Sequence, residues 1–147
     1  MDDKLNKPYN PNETEKRIYK KWEDSGYFNP DICVKNGVTA PDAEEFSIVL
    51  PPPNVTGRLH LGHVLEHGLQ DAIVRFERMR GKRTLWIPGT DHAAIATQSK
   101  FEKELQKETG KSRHDFSRDE FFNMVNEFGL RNQKDMRQQM RILGSSL

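Results

Sequence analysis

Two histidines stand three residues apart in His60-Leu61-Gly62-His63, where an apolar stripe of helical period begins. Residues three apart share a helix face, so the two imidazoles point together, away from that stripe. A helix N-terminus offers free backbone N–H groups and a partial positive charge, both suited to phosphate. Imidazoles at such an end donate further hydrogen bonds to oxygens on which charge develops. Gly62, having no side chain, leaves room for a flat ring or a ribose against the backbone.

A second group lies some thirty residues on, where Asp91 follows Pro88-Gly89-Thr90 and precedes His92. A carboxylate there suits a substrate ammonium group through charge-assisted hydrogen bonds. Asn54 could orient the same substrate, and Pro51-Pro52-Pro53 make a rigid apolar wall.

Each residue alone has a plainer reading. Two histidines at a helix start can be solvated or merely capping. With His67 they make a stripe of three that could bind a metal, but the only carboxylate or thiolate near that stripe is Asp71, which argues against it. Asp91 alone reads equally well as a helix cap, Asn54 as an Asx-turn, and the prolines as a strand stop.

The surrounding elements bring the two groups together. Phe46-Ser47-Ile48-Val49-Leu50 is a short apolar run expected to form a buried strand, ended by prolines that have no ladder donor. Over about 60–80, Leu61, Leu65, Leu69, Ala72, Phe76 and Met79 recur at steps of three or four, giving one apolar stripe. Thr84-Leu85-Trp86-Ile87 is a second strand. Strand, helix, strand with short joints is a βαβ unit with parallel neighbouring strands and a right-handed crossover. Ligands of open α/β sheets bind outside the carboxyl ends of the strands. Those ends are 51–57 and 88–92, beside the N-terminus of the helix opened by His60.

The flanks are simpler. Residues 1–12 read as a polar arm. A helix is expected over about 13–24, capped by Asn12, with Ile18 and Trp22 facing the body. Gly26, Pro30, Gly37 and Pro41 make 25–44 a loop. Further helices are expected over about 93–108 and, capped by Ser117, over about 118–143. The basic residues of the last, Arg131, Lys134, Arg137 and Arg141, read as a solvated face because Asp135 and glutamines interrupt them.

The 147 residues carry a formal charge of +1, with 34% hydrophobic and 31% charged side chains. No global basic field advertises nucleic acid. A single cysteine, Cys33, excludes an internal disulfide or a cysteine-based zinc site. The charged N-terminus lacks the apolar core of a secretory signal, and no stretch approaches the roughly twenty apolar residues of a membrane span. A soluble intracellular protein is expected.

The combination and order of these segments resemble one family. PPPNVTGRLHLGH followed by PGTDHAAIATQ is similar to the signature region of class I aminoacyl-tRNA synthetases, with His60-Leu61-Gly62-His63 at its ATP-binding HIGH motif. The Asn54-Val55-Thr56-Gly57 and Gly89-Thr90-Asp91-His92 segments resemble the valine branch more than the isoleucine branch. The similarity extends from KPYNPNETEKRIYKKWEDSGYF to GKSRHDFSRDEFF and RILGSSL, and it departs at Ala94, where the family usually has glycine.

The resemblance implies an α/β fold, the first half of a Rossmann-type parallel-sheet domain with an N-terminal helical arm. The arm and approach helix would occupy 1–44 and the half domain 45–147. It implies valine, ATP with Mg²⁺, and tRNA as partners, joined through valyl-adenylate, and no metal site within the chain. His60 and His63 would be catalytic. ATP would lie on His60, Gly62, His63, Thr56 and Gly57, and valine on Pro52, Pro53, Asn54 and Asp91. An editing insertion, the second half of the sheet and the anticodon-binding helices are expected beyond Leu147, in a monomeric enzyme. An isoleucine-type enzyme, or a non-catalytic nucleotide-binding module, are the alternatives.

Overall fold

The strand–helix–strand order expected around the two polar loops is present in the computed structural model, which describes residues 8–147. Helix α1 spans Pro11–Ser25, α2 Pro30–Lys35, strand β1 Glu45–Val49, α3 Leu61–Met79, β2 Arg83–Ile87, α4 Ala94–Thr109 and α5 Arg118–Ile142, with a 3₁₀ turn at Arg113–Asp115 before α5. The strands pair in parallel, from Glu45 opposite Arg83 to Val49 opposite Ile87.

The helix ends follow local chemistry. Asn10, not Asn12, caps α1 by accepting the Asn12 N–H at 3.2 Å, and Gly26 closes the helix with φ +70°, a left-handed conformation that suits glycine. Ser117 caps α5, and Glu120 returns the bond in a capping box. Of the arm expected over 1–12, residues 1–7 lie outside the described residues, and the helix has already begun at Pro11. The expected loop over 25–44 contains α2. There the Asn29 side chain accepts the Asp31 and Ile32 N–H groups, and Pro30 begins the helix with its φ already set.

The core lies between one face of the sheet, α3 and α5. Leu50, Val74, Trp86 and Met140 form its centre, with Ile48, Leu59 and Leu147 packed against it. Trp86 satisfies its indole N–H by donating to Gln70 Oε1 at 2.9 Å. Phe46, Ile48, Thr84 and Trp86 turn inward, while Ser47, Val49, Leu85 and Ile87 are exposed. The strands are thus covered on one face and not, as expected, buried.

Helix α3 covers its more polar side. Its apolar stripe faces outward: Leu61, Leu65, Leu69, Ala72, Phe76 and Met79 are all exposed, Met79 at 87%. The buried side carries His67, Val74 and Glu77, with Asp71 and Arg78 partly covered. Specific pairing makes a polar face tolerable inside. Asp71 accepts the Ser146 N–H at 3.0 Å and also its hydroxyl. Arg75 donates to the Gly144 carbonyl at 2.7 Å, and Arg78 to the Ser146 carbonyl at 2.9 Å. Glu77 pairs with Lys82 at 3.1 Å. Periodicity identifies the apolar side of a helix, but these polar pairs determine which side this chain covers. No helix among the described residues is long and apolar enough to cross a membrane.

Candidate functional site

The loop after β1 and the loop after β2 are joined by backbone pairing. Pro51, Pro52 and Pro53 interrupt the ladder, which then resumes as a parallel bridge between Asn54 and Asp91. The Val55 N–H donates to the Asp91 carbonyl and the Asp91 N–H to the Pro53 carbonyl, both at 2.9 Å. Asn54 and Asp91 are therefore held side by side at the carboxyl edge of the sheet, where α3 begins. Both are exposed.

Asp91 Oδ1 accepts the Ala93 N–H at 2.8 Å, at the start of α4. Ala93 is the one non-glycine residue with positive φ among the described residues, at +41°, a conformation that costs energy without a compensating contact. Asp91 therefore ties down the residue before the helix and does not cap it, since the N-cap of α4 is Ala93, without a side-chain cap bond, and Oδ2 has no protein donor among the described residues. Asn54 makes no Asx-turn. Its backbone carbonyl, not its side chain, accepts the Thr56 N–H at 2.8 Å.

The histidine pair behaves as its spacing predicts, with one addition. The two rings stack with centroids 3.8 Å apart and planes 26° from parallel. His60 Nδ1 accepts the Gly62 N–H and His63 Nδ1 accepts the His60 N–H, each at 3.1 Å, a capping box made of imidazoles. Because each Nδ1 accepts, a neutral ring carries its proton on Nε2. Burial first, and the neighbouring His60 second, push the His63 pKa below its ordinary value. His63 is therefore neutral near pH 7, presenting a single Nε2–H donor beside the free N–H groups of α3. Both the capping alternative and the donor geometry coexist.

Gly62 also lets its capping neighbour close in. An added Cβ would lie 3.0 Å from His60 Cε1 and 3.1 Å from His60 Nδ1, so the space it leaves is filled by the capping imidazole. Thr56 and Gly57 are half-buried between the bridge and α3, and a Cβ on Gly57 would meet nothing within 4 Å. Pro53 is buried, while Pro52 is exposed and flanks Gly89, whose added Cβ would lie 3.5 Å from Pro52 Cβ. His67 does not join the pair. It is buried edge-on to Trp86 at 5.8 Å, and neither ring nitrogen has a hydrogen-bond partner. No group of three or more His, Cys, Asp or Glu side chains able to hold a metal occurs among the described residues.

Three residues absent from the sequence expectations reach the same edge from α5: Asn132, Gln133 and Gln139. Asn132 Nδ2 donates to the Val55 carbonyl at 2.8 Å, Gln133 Nε2 to Thr90 Oγ1 at 2.9 Å, and the Leu59 N–H donates to Gln139 Oε1 at 2.9 Å. Their signal was available as amides at helical spacing among Phe128, Met136 and Met140, all buried. Arg131, Lys134, Arg137 and Arg141 are exposed, as a solvated face requires.

A family model described as tRNA synthetases class I (I, L, M and V) matches residues 17–147. The chain belongs to the class I tRNA synthetases. Its βαβ unit, with the paired loops at the carboxyl edge, is accordingly part of the Rossmann-type half of a class I synthetase domain. Among curated relatives, it is 47% identical to the valine–tRNA ligase of Corynebacterium efficiens over 145 residues, 99% of this chain and 15% of that protein. It is 45% identical to the valine–tRNA ligase of Thermotoga maritima over 143 residues, 97% of this chain and 16% of that protein. With the valine–tRNA ligase of Fusobacterium nucleatum the figures are 46% identity over 143 residues, 97% and 15%. This class I synthetase chain thus spans about 15% of the length of the relatives it matches.

Proposed function

We propose that this chain supplies the nucleotide- and amino-acid-binding half of an enzyme that ligates L-valine to its tRNA through valyl-adenylate. The observation that carries this reading is the pair of groups set in the segments that follow the two strands: the stacked His60–His63 pair on the N-terminus of α3, and the bridged Asn54–Asp91 loops. The first suits phosphate and the second an α-amino acid, the two substrates that adenylate formation requires.

In this reaction the valine carboxylate attacks the α-phosphate of ATP, the bond to the bridging oxygen breaks, and pyrophosphate leaves. A ribose hydroxyl of the terminal adenosine of tRNA then attacks the valyl carbonyl, the mixed-anhydride bond breaks, and AMP leaves. No strong base is needed, so positioning and charge stabilisation dominate. The Nε2–H groups of His60 and His63 donate to phosphate oxygens as charge moves onto them, helped by the N–H groups of α3. Thr56 and Gly57 border the nucleotide. Asp91 receives the valine ammonium on the oxygen not engaged by Ala93, Asn54 orients the amino acid, and Pro52 and Pro53 wall its side chain. Mg²⁺ enters as part of the nucleotide substrate and needs no ligand set of its own here. A monomeric, cytoplasmic full-length protein is part of the same proposal.

The test is pyrophosphate exchange into ATP by the full-length gene product. Exchange driven by valine, with isoleucine at least tenfold poorer, supports the proposal. Equal exchange with isoleucine favours an isoleucine-type enzyme. Tight binding of adenylates with no exchange favours a nucleotide-binding module.

A further inference from the structure

One face of α5 touches both loops that end at the proposed site. Val55, in the first loop, is buried against Gly129, whose added Cβ would stand 3.4 Å from Val55 Cγ2. One turn on, Asn132 Nδ2 holds the Val55 carbonyl at 2.8 Å, and the adjacent Gln133 Nε2 holds Thr90 Oγ1, in the second loop, at 2.9 Å. Gln139 accepts the N–H of Leu59, the residue before the His60 cap, at 2.9 Å. All four lie on the side of α5 that also buries Phe128, Met136 and Met140.

The bridge between the loops fixes their register with each other. It does not fix where the pair stands relative to α3. That placement comes from α5, because its amides hold one backbone carbonyl and one hydroxyl, one in each loop, while its apolar residues anchor it in the core. We propose that Asn132 and Gln133 are positioning residues, which hold the bridged Asn54 and Asp91 loops at the place the amino acid needs. Neither touches the substrate. The proposal rests on the reading that Asn54 and Asp91 flank valine. It goes beyond that reading in assigning amino-acid affinity to a helix outside the βαβ unit.

The two bonds differ in a way an experiment can use. The Val55 carbonyl can only accept, so Asn132→Leu removes its bond outright. The Thr90 hydroxyl can also donate, so Gln133→Met removes the bond whereas Gln133→Glu keeps one in reversed sense. In the full-length gene product, Asn132→Leu and Gln133→Met should each raise KM for valine by about tenfold, as small misplacements of substrate-binding groups do. The value of kcat and KM for ATP should stay within about threefold, Tm should be close to wild type, and Gln133→Glu should recover most of the valine affinity. A parallel loss of Tm, kcat and both KM values without recovery in Gln133→Glu would make the role merely structural and overturn the proposal, as would an unchanged KM for valine.

Amide hydrogen exchange at Val55 and Asp91 in the same variants reads the loops without substrate. Faster exchange at both in Asn132→Leu is expected, and unchanged exchange overturns the proposal. Should the wild-type protein lack valine-dependent pyrophosphate exchange, the proposed function fails, and hydrogen exchange alone decides whether α5 holds the loops.

Discussion

Replacing Gly62 with alanine sets a gain in helix propensity against a loss of capping. Alanine within a helix is more stable than glycine by about 0.5–1 kcal/mol. Against that, the new Cβ would stand 3.0 Å from His60 Cε1. The ring must move by a few tenths of an ångström or swing away, because the backbone of α3 is held by its own ladder. Swinging away breaks the His60 Nδ1 bond to the Gly62 N–H and the stack on His63. Loss of a side-chain cap costs about 0.5–2 kcal/mol. The two effects nearly cancel, so urea denaturation should give a stability within about 1 kcal/mol of wild type. Function should not be spared. A misdirected imidazole forfeits a hydrogen bond to a charged oxygen, about 1.5–3 kcal/mol, which corresponds to a roughly 10- to 100-fold fall in the rate of pyrophosphate exchange. Imidazole proton–nitrogen NMR correlations would follow both rings directly. Exchange within about twofold of wild type, with unshifted His60 resonances, would refute the idea that Gly62 exists to seat the His60 ring.

Three further outcomes follow from the packing. Trp86→Phe removes the indole bond to Gln70 and leaves space in a site only 1% exposed, and should cost about 1–3 kcal/mol in urea denaturation. His67 resists protonation because burial pushes its pKa below the ordinary 6.5. The unfolded chain therefore takes up the proton first, so stability is full above pH 6.5 and falls as the pH drops below it. His67→Leu should flatten that fall without abolishing it, since the His63 pKa is shifted the same way, and denaturation midpoints at pH 7.5 and 5.5 would check it. Leu69→Gln, on the exposed stripe of α3, should change the stability of the 147-residue chain by less than about 0.5 kcal/mol, and a loss above about 2 kcal/mol would mean the stripe is covered.

Much of the fold was legible because it is written in local signals. The strand–helix–strand order, the parallel pairing and the ends of α4 and α5 follow from proline stops, the Ser117 cap and Gly110. Helix α2 escaped because its six residues are too few for a period, although Asn29-Pro30 is a cap followed by a first-turn proline. The orientation of α3 was illegible for a deeper reason. Asp71, Arg75 and Arg78 look like surface residues until Gly144 and Ser146 return to pair with them, and no local pattern encodes that return. At the candidate site, spacing put His60 beside His63, and strand order put Asn54 and Asp91 at the ends of neighbouring strands, where they are bridged. The amides of α5 could not be matched to their loops, because hydrogen bonds spanning 77 and 43 residues leave no periodic trace.

The most direct measurement is calorimetric binding of non-hydrolysable valyl- and isoleucyl-adenylate analogues to the full-length gene product, wild type and Asp91→Ala. The valyl analogue should bind more tightly, and loss of a hydrogen bond to the charged ammonium should weaken it by about 10- to 100-fold in Asp91→Ala. Equal affinity for the two analogues, or full affinity retained without the Asp91 carboxylate, would contradict a valine site built on the paired loops.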